Sequence, residues 1–303
     1  MQDRSAVGFI GLGNIGAPMA RRLRDWPGGL VVCDSRQEAT EPFVAKGAVA
    51  VANGAAVAER ASVICVMVQN AEQVRAVLEG PEGILATALP GTVVAVHSTV
   101  SAESAIELAA LAAASQVELI DAPVSGGAMG AYAGTLALMV GGSTEAVAKC
   151  QPVFDLLGTM TQHMGPVGAG THTKIARNLI SFVGFAVVGE AQRLAEAAGL
   201  DIAKLGEVVR HSDAITGGAG AIMIRDSAGE MAPEDGLRPI FGHTATLGTK
   251  DLALAIQMGE ELDCGVPFAE LGLESLSSAL GLEAPHSSNQ NQSPSQSPDQ
   301  SQS

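Results

Sequence analysis

Cysteine is scarce in this chain. Its 303 residues hold only Cys33, Cys65, Cys150 and Cys264, widely scattered. They offer neither metal-ligand spacing nor a disulfide framework, so we expect no metal site and a reducing, cytoplasmic setting. Basic residues are few as well: 17 Lys and Arg stand against 32 Asp and Glu, a formal net charge of −15. Nucleic-acid binding needs a basic footprint, so that class is excluded. No apolar run reaches the roughly 20 residues of a bilayer-spanning helix, so no membrane partner is expected. The N-terminus shows no basic n-region followed by an apolar h-region, hence no signal peptide is expected. What is present is an acidic chain, 47% hydrophobic, long enough for two domains with sizeable cores. Any anionic ligand must be drawn in by local positive groups, against the field of the whole chain.

Glycine, by contrast, is placed with purpose. Residues 8–19 read Gly-Phe-Ile-Gly-Leu-Gly-Asn-Ile-Gly-Ala-Pro-Met. An apolar run, Ala6 to Ile10, reads as a buried strand; after Gly16 the pattern turns helical through Met19, Ala20 and Leu23. A strand, a glycine turn and a helix start together make G-x-G-x-x-G a dinucleotide fingerprint. Gly11 allows the turn, Gly13 admits a pyrophosphate, and Gly16 lets helix and strand pack closely. Leu12, Asn14 and Ile15 complete the loop. Helix N–H groups then face the anion.

A second apolar strand, Leu30 to Cys33, ends at Asp34, 18 residues after Gly16. A carboxylate there accepts from the ribose hydroxyls and repels a 2′-phosphate, so NAD is favoured. Ser35 and Arg36 follow on the same loop. A guanidinium at Arg36 either caps a 2′-phosphate or stands as a solvated charge, which leaves NADP open.

Up to residue 165 the chain alternates strand-like and helix-like segments, as a doubly wound parallel α/β sheet does. Further strands are expected at Ala61–Val68, Thr92–Val96, Gln116–Ile120 and Leu136–Val140. Helices are expected at Ser101–Ala114, with Ser101 as its cap, and at Glu145–Leu157. Ligands of such sheets bind at the carboxyl ends of the strands. That rim holds Val68, Gln69, Ser98, Thr99 and Asp121. After Gly165 the pattern becomes all-helical. Thr171–Ala198 is apolar nearly all round and reads as one long buried helix, closed by Gly199. Further helices are expected at Ile202–Arg210, Ala219–Met231, Thr244–Met258 and Pro267–Leu280. The expected organisation is a Rossmann domain over 1–165, an all-α domain over 166–285 with a long interdomain helix, and a disordered Ser/Gln/Pro tail over 286–303.

Two segments past the first strands carry chemistry. Asp121-Ala-Pro-Val-Ser-Gly-Gly ends a strand and opens a loop in which Ser125, Gly126 and Gly127 present a hydroxyl and unobstructed N–H groups, suited to a carboxylate. Residues 168–178 read Gly-Ala-Gly-Thr-His-Thr-Lys-Ile-Ala-Arg-Asn, which puts Lys174 and Asn178 on one helix face. Burying a lysine is unfavourable unless it is paired or functional. Desolvation would lower its pKa, as proton transfer requires. Composition leaves Lys174 open between that role and a structural one.

These blocks, with Lys250-Asp251-Leu252-Ala253-Leu254, resemble the β-hydroxyacid dehydrogenase family, and most of all its 3-hydroxyisobutyrate dehydrogenases, from about Val7 to about Leu280. The resemblance implies hydride transfer between NAD(P) and a small 3-hydroxy acid. It implies Lys174 as the catalytic acid/base, Ser125–Gly127 holding the substrate carboxylate and Asn178 orienting the substrate. Thr99 is implied beside the nicotinamide and Lys250 along the cofactor cleft. The chain departs from the family pattern at Val68-Gln69, at Gln73 and at Arg177; Val68, Gln69 and Gln73 are nonetheless expected at the cofactor. Alternatives are a small semialdehyde or imine reductase and a non-catalytic dinucleotide-binding protein. Imine-reducing relatives generally lack the lysine. The apolar long helix, with about 85 residues left to wrap it, points to a homo-oligomer, most simply a symmetric dimer; the resemblance implies a homodimer or homotetramer.

Overall fold

The computed structural model describes residues 5–225 and 227–283. The tail expected at 286–303 lies outside the described residues. Strands are β1 (Ala6–Ile10), β2 (Leu30–Cys33), β3 (Val49–Ala50), β4 (Ala61–Val66), β5 (Val93–Val96), β6 (Glu118–Asp121), β7 (Val124–Ser125), β8 (Leu136–Gly141) and β9 (Gly158–Gly165). The first helices are α1 (Gly16–Arg22), α2 (Glu41–Val44), α3 (Gly54–Ala58), α4 (Ala71–Leu78), α5 (Ala102–Ala113), α6 (Gly127–Ala133) and α7 (Thr144–Leu157). Then come α8 (Ala169–Ala197), α9 (Ile202–Thr216), α10 (Arg238–Glu261) and α11 (Pro267–Ala279).

The strands form one sheet in the order β3-β2-β1-β4-β5-β6-β8-β7, with β9 on β8. β1 through β6 run parallel, whereas β8 is antiparallel to β6 and β7. This is a Rossmann doubly wound sheet, whose order reverses between β1 and β4 and opens a crevice at their carboxyl ends. Two apolar layers cover its faces. One includes Met19, Leu23, Leu136, Phe154 and Leu157; the other includes Val57, Val74, Leu78, Ala105 and Leu108. Each large side chain fully buried there stabilises the fold by about 1.5–3 kcal/mol. Cys33, Cys65 and Cys150 lie in these layers as free thiols. Burial raises Cys33 to about 11, reinforced by Asp34, and raises Cys150 to about 12. It lifts Cys65 well above the ordinary thiol value.

The chain divides into two compact units, one ending at Leu179 and the other beginning at Ile180, so the division falls inside α8. The second unit is helical, as expected. Within it, the buried Glu190 of α8 caps α11: Oε2 accepts from Phe268 N–H and Oε1 from Ala269 N–H, both at 3.0 Å. A small core of Met231, Phe241, Ala245 and Leu280 holds α10 against α11.

Three expectations need correction. β9 has no counterpart in the sequence pattern, because Gly158-Thr-Met-Thr-Gln-His-Met-Gly165 has no apolar run; its pairing with β8 makes it a strand. Among the described residues, Ala219–Met231 is not a helix: Gly218–Ile222 forms a 3-10 turn and the described residues after it are irregular, with Gly217 and Gly218 at positive φ. Lastly, much of the apolar surface of α8 is uncovered in the single chain. Leu179, Phe182 and Phe185 are each more than 60% exposed.

Candidate active site

The fingerprint folds as its glycines dictate. Gly11 has φ +95, and a Cβ there would run into the Met67 carbonyl oxygen at the end of β4. A Cβ on Gly16 would strike the Gly11 carbonyl, so this glycine sets how closely α1 meets β1. Around Gly13 nothing lies within 4 Å of such an atom, and Gly13 and Asn14 are exposed. The turn is thus tight on its protein side and open at the crevice, which fits a dinucleotide pyrophosphate. Ile15 is half-buried beside it, while Leu12 belongs to the core. The Leu12 N–H points inward rather than at the opening, donating to Asp34 Oδ2 at 2.6 Å.

Asp34 stands at the carboxyl end of β2, its side chain only 7% exposed. Oδ1 accepts from the Arg36 backbone N–H at 2.9 Å and from Arg36 Nε at 3.2 Å. Burial pushes this carboxyl up, but the bonds from Arg36 and Leu12, with the Arg36 charge, outweigh it and hold the pKa below the usual value. Asp34 is therefore a fixed anion. Three of the roughly four acceptor positions of a carboxylate are filled, which leaves room for a ribose hydroxyl. Ser35 and Arg36 are exposed on the loop beyond.

Across the crevice, β4 and β5 are joined at their ends by Ser98. Its Oγ accepts from Val68 N–H at 2.9 Å and donates to the Val68 carbonyl at 2.8 Å. Thr99, next in the chain, is exposed on the rim. Gln73 Oε1 accepts from Gln69 N–H at 2.9 Å, and Asn70 caps α4 through Gln73 N–H. Gln73 thereby shapes the loop that carries Val68 and Gln69.

Asp121 was expected on the functional rim, but it is 1% exposed and structural. Its Oδ1 accepts from Gly168 N–H at 2.8 Å and its Oδ2 from Thr171 N–H at 2.7 Å. A carboxylate at a helix N-terminus satisfies donors that the helix leaves unpaired and meets its positive dipole end. This bond pair fixes the start of α8 on the end of β6. From the same strand end the chain runs through β7 to Ser125, then Gly126 (φ +131) and Gly127 (φ +61), both exposed and both in backbone conformations that favour glycine.

One turn into α8 comes Lys174, half-buried, with Asn178 half-buried one turn further on the same face. Burial pulls the Lys174 pKa below the ordinary value and the nearby Arg177 charge adds to the effect. No ion pair restores it among the described residues. A lysine so placed gives up its proton more readily than one in water. Lys250 lies in α10 of the second unit, exposed, with Nζ 3.1 Å from Asp251 Oδ1.

Residue types alone gave no signal for two members of this framework. Ser98 looked like part of a Ser-Thr pair and is the pin between two strands. Asp121 looked like a rim acid, and only its backbone partners 47 and 50 residues on reveal the cap.

Comparison with known proteins gives this geometry a lineage. The family model for the NAD binding domain of 6-phosphogluconate dehydrogenase matches residues 6–165. The model for the NAD-binding domain of NADP-dependent 3-hydroxyisobutyrate dehydrogenase matches residues 168–291. The chain belongs to the β-hydroxyacid dehydrogenase family. It is an NAD(P)-dependent oxidoreductase. An uncharacterized oxidoreductase of Mycobacterium tuberculosis is 49% identical over 279 residues, covering 92% of this chain and 94% of that protein. An NAD-dependent L-serine dehydrogenase of Pseudomonas aeruginosa is 36% identical, covering 88% and 89%. A 3-hydroxyisobutyrate dehydrogenase of the same organism is 32% identical, covering 92% and 94%. Among solved structures, a putative oxidoreductase from Mycobacterium avium is 46% identical with a TM-score of 0.87, covering 92% of this chain and 99% of its own. Among the described residues, no helix is long and apolar enough to cross a membrane.

Proposed function

We propose that this β-hydroxyacid dehydrogenase interconverts a small 3-hydroxy acid and its semialdehyde, with Lys174 as the acid/base and NAD preferred over NADP. The observation that carries this reading is the Asp121 clamp. It holds the helix bearing Lys174 and Asn178 on the strand end that leads into the Ser125–Gly127 loop. The loop takes the substrate carboxylate, through the Ser125 hydroxyl and open backbone N–H groups. Asn178, on the lysine's face of α8, orients the alcohol. NAD(P), when bound, supplies the hydride acceptor in oxidation and the donor in reduction. Neutral Lys174 takes the hydroxyl proton as the carbinol C–H leaves as hydride; in reduction its ammonium returns that proton to the carbonyl oxygen. Gly11–Gly16 would hold the pyrophosphate and Asp34 the ribose, with Thr99 toward the nicotinamide end; for Lys250 the cofactor role rests on the family resemblance alone.

The names of two relatives narrow the substrate. L-Serine and 3-hydroxyisobutyrate each carry a hydroxymethyl group, a primary alcohol, on the carbon next to the carboxylate carbon. We read the substrate of this chain as a member of that class. A panel of such acids and their semialdehydes, followed by nicotinamide absorbance with NAD and NADP in parallel, tests the reading. Turnover restricted to secondary alcohols, or to imines, would overturn it.

The reading includes a reducing cytoplasmic setting, in keeping with buried thiols, and a homodimer or homotetramer. The exposed apolar residues of α8, Ile175, Leu179, Phe182 and Phe185 among them, need a cover. A contiguous apolar face of this kind marks an interaction site, and a second copy is the simplest occupant. Sedimentation at micromolar concentration decides this: one species at the chain mass of 30.6 kDa, unchanged on concentrating, would exclude it.

A further inference from the structure

A second cavity lies away from the crevice just described. It measures about 240 Å³. Its floor is apolar, built from Leu30, Phe43 and Ala48, with Leu30 and Phe43 at most 5% exposed. Its rim carries three cations: Arg21, Arg24 and Lys46. Leu30 opens β2 and Ala48 directly precedes β3, so the cavity sits at the amino ends of these parallel strands. Asp34 and the glycine turn stand at the opposite, carboxyl ends. The two places are therefore separate.

The cations are not consumed by their present partners. Arg21 donates from Nη1 to the Tyr132 hydroxyl at 3.0 Å and lies over that ring, which leaves its other donors available. Arg24 is paired with Asp25 at 2.9 Å, but both side chains are exposed. Such pairs contribute little, and a ligand carboxylate can replace Asp25. Lys46 has no ion pair among the described residues. In a chain of net charge −15 this is a local positive site over an apolar floor. A bare anion would leave the floor unused, and a neutral apolar molecule would leave the rim unused. The volume falls below the roughly 300–1,000 Å³ of pockets for drug-sized ligands. The matching ligand is small and amphipathic.

We propose that this cavity binds a small monocarboxylate with an apolar body, a single aromatic ring or a short branched chain, independently of the catalytic site. The inference does not rest on the assignment of Lys174 or of the substrate. Calorimetric titration of the full chain with benzoate, without cofactor, tests it, with acetate and inorganic phosphate as comparators. We expect one benzoate site per chain, and acetate and phosphate weaker by about tenfold or more. Losing a charge-assisted contact costs about 1.5–3 kcal/mol, so Lys46→Glu should weaken benzoate about tenfold or more, as should Arg24→Glu. Both side chains are exposed and outside the reaction machinery, so circular dichroism melts and basal turnover should match the parent. Lys174→Ala should leave benzoate binding intact. No saturable binding, binding indifferent to both charge reversals, or binding lost in Lys174→Ala would each overturn the proposal; the last would place benzoate in the catalytic crevice.

Discussion

The Asp121 carboxylate accepts the Thr171 backbone N–H at 2.7 Å, and this bond ties the end of β6 to the first turn of α8. With the second bond from Gly168, it makes one buried anion responsible for where the lysine helix begins. Asp121→Asn keeps the volume but presents an NH₂ where an acceptor is needed. Hydrogen bonds to charged groups contribute about 1.5–3 kcal/mol each. We expect a loss of about 2–4 kcal/mol in urea unfolding, accompanied by lower turnover in the folded fraction. A variant as stable and as active as the parent would remove the clamp from the mechanism.

Lys174→Ala should fold normally and keep its affinity for dinucleotide, while turnover falls about 10²–10⁴-fold, the usual contribution of a general acid–base group. The pH profile supplies the sign. Oxidation needs neutral lysine, so its rate should rise with pH on a limb centred below the ordinary 10.5, because burial and Arg177 lower this pKa. Reduction needs the ammonium and should fall over the same limb. Steady-state rates against pH in both directions check this, and a limb surviving in the alanine variant would assign it to another group.

Asp34→Ala should weaken NAD far more than NADP. The carboxylate is the ribose acceptor and the source of repulsion toward a 2′-phosphate, and its removal also releases the Arg36 guanidinium. We expect KM for NAD to rise about tenfold, as loss of a charge-assisted hydrogen bond implies, with KM for NADP unchanged or lower. Equal losses with both cofactors would mean that Asp34 only shapes the Leu12 turn.

His97 makes the fold sensitive to acid. It is 1% exposed, stacked on Phe9 and edge-on to Phe154, with Nδ1 2.7 Å from the Ala122 carbonyl oxygen. Burial lowers its pKa to about 4, against the raising effect of that bond. The unfolded chain therefore binds a proton near pH 6.5 that the native state refuses until about pH 4. Stability should fall as pH drops through this window, by up to about 3 kcal/mol, and lose nothing further from this group below it. Urea midpoints between pH 7 and 4 should show this slope in the parent and a shallower one in His97→Phe, which keeps the ring packing.

Much of this is legible in the amino-acid sequence. The fingerprint glycines, the Ser101 cap and the parallel strands follow local rules of sterics and periodicity, and α5 begins where Ser101 accepts from Ser104 N–H. What local rules could not reach were elements made by distant partners. β9 exists through its ladder with β8, and Asp121 acquires its role from donors in a helix start far along the chain. The exposure of Leu179, Phe182 and Phe185 on α8 lies beyond local rules for a related reason. An apolar pattern states that a face seeks cover, without stating which molecule provides it.

The free thiols, finally, make the protein a convenient object to label. Cys33, Cys65 and Cys150 are buried and their pKa values raised, so in the native fold they resist alkylation as thiolates. Cys264, between α10 and α11, is the partly exposed one. A maleimide dye on the untouched wild-type chain thus falls at a single known point of the helical unit, and the remaining three sulfhydryls become a stopwatch for unfolding.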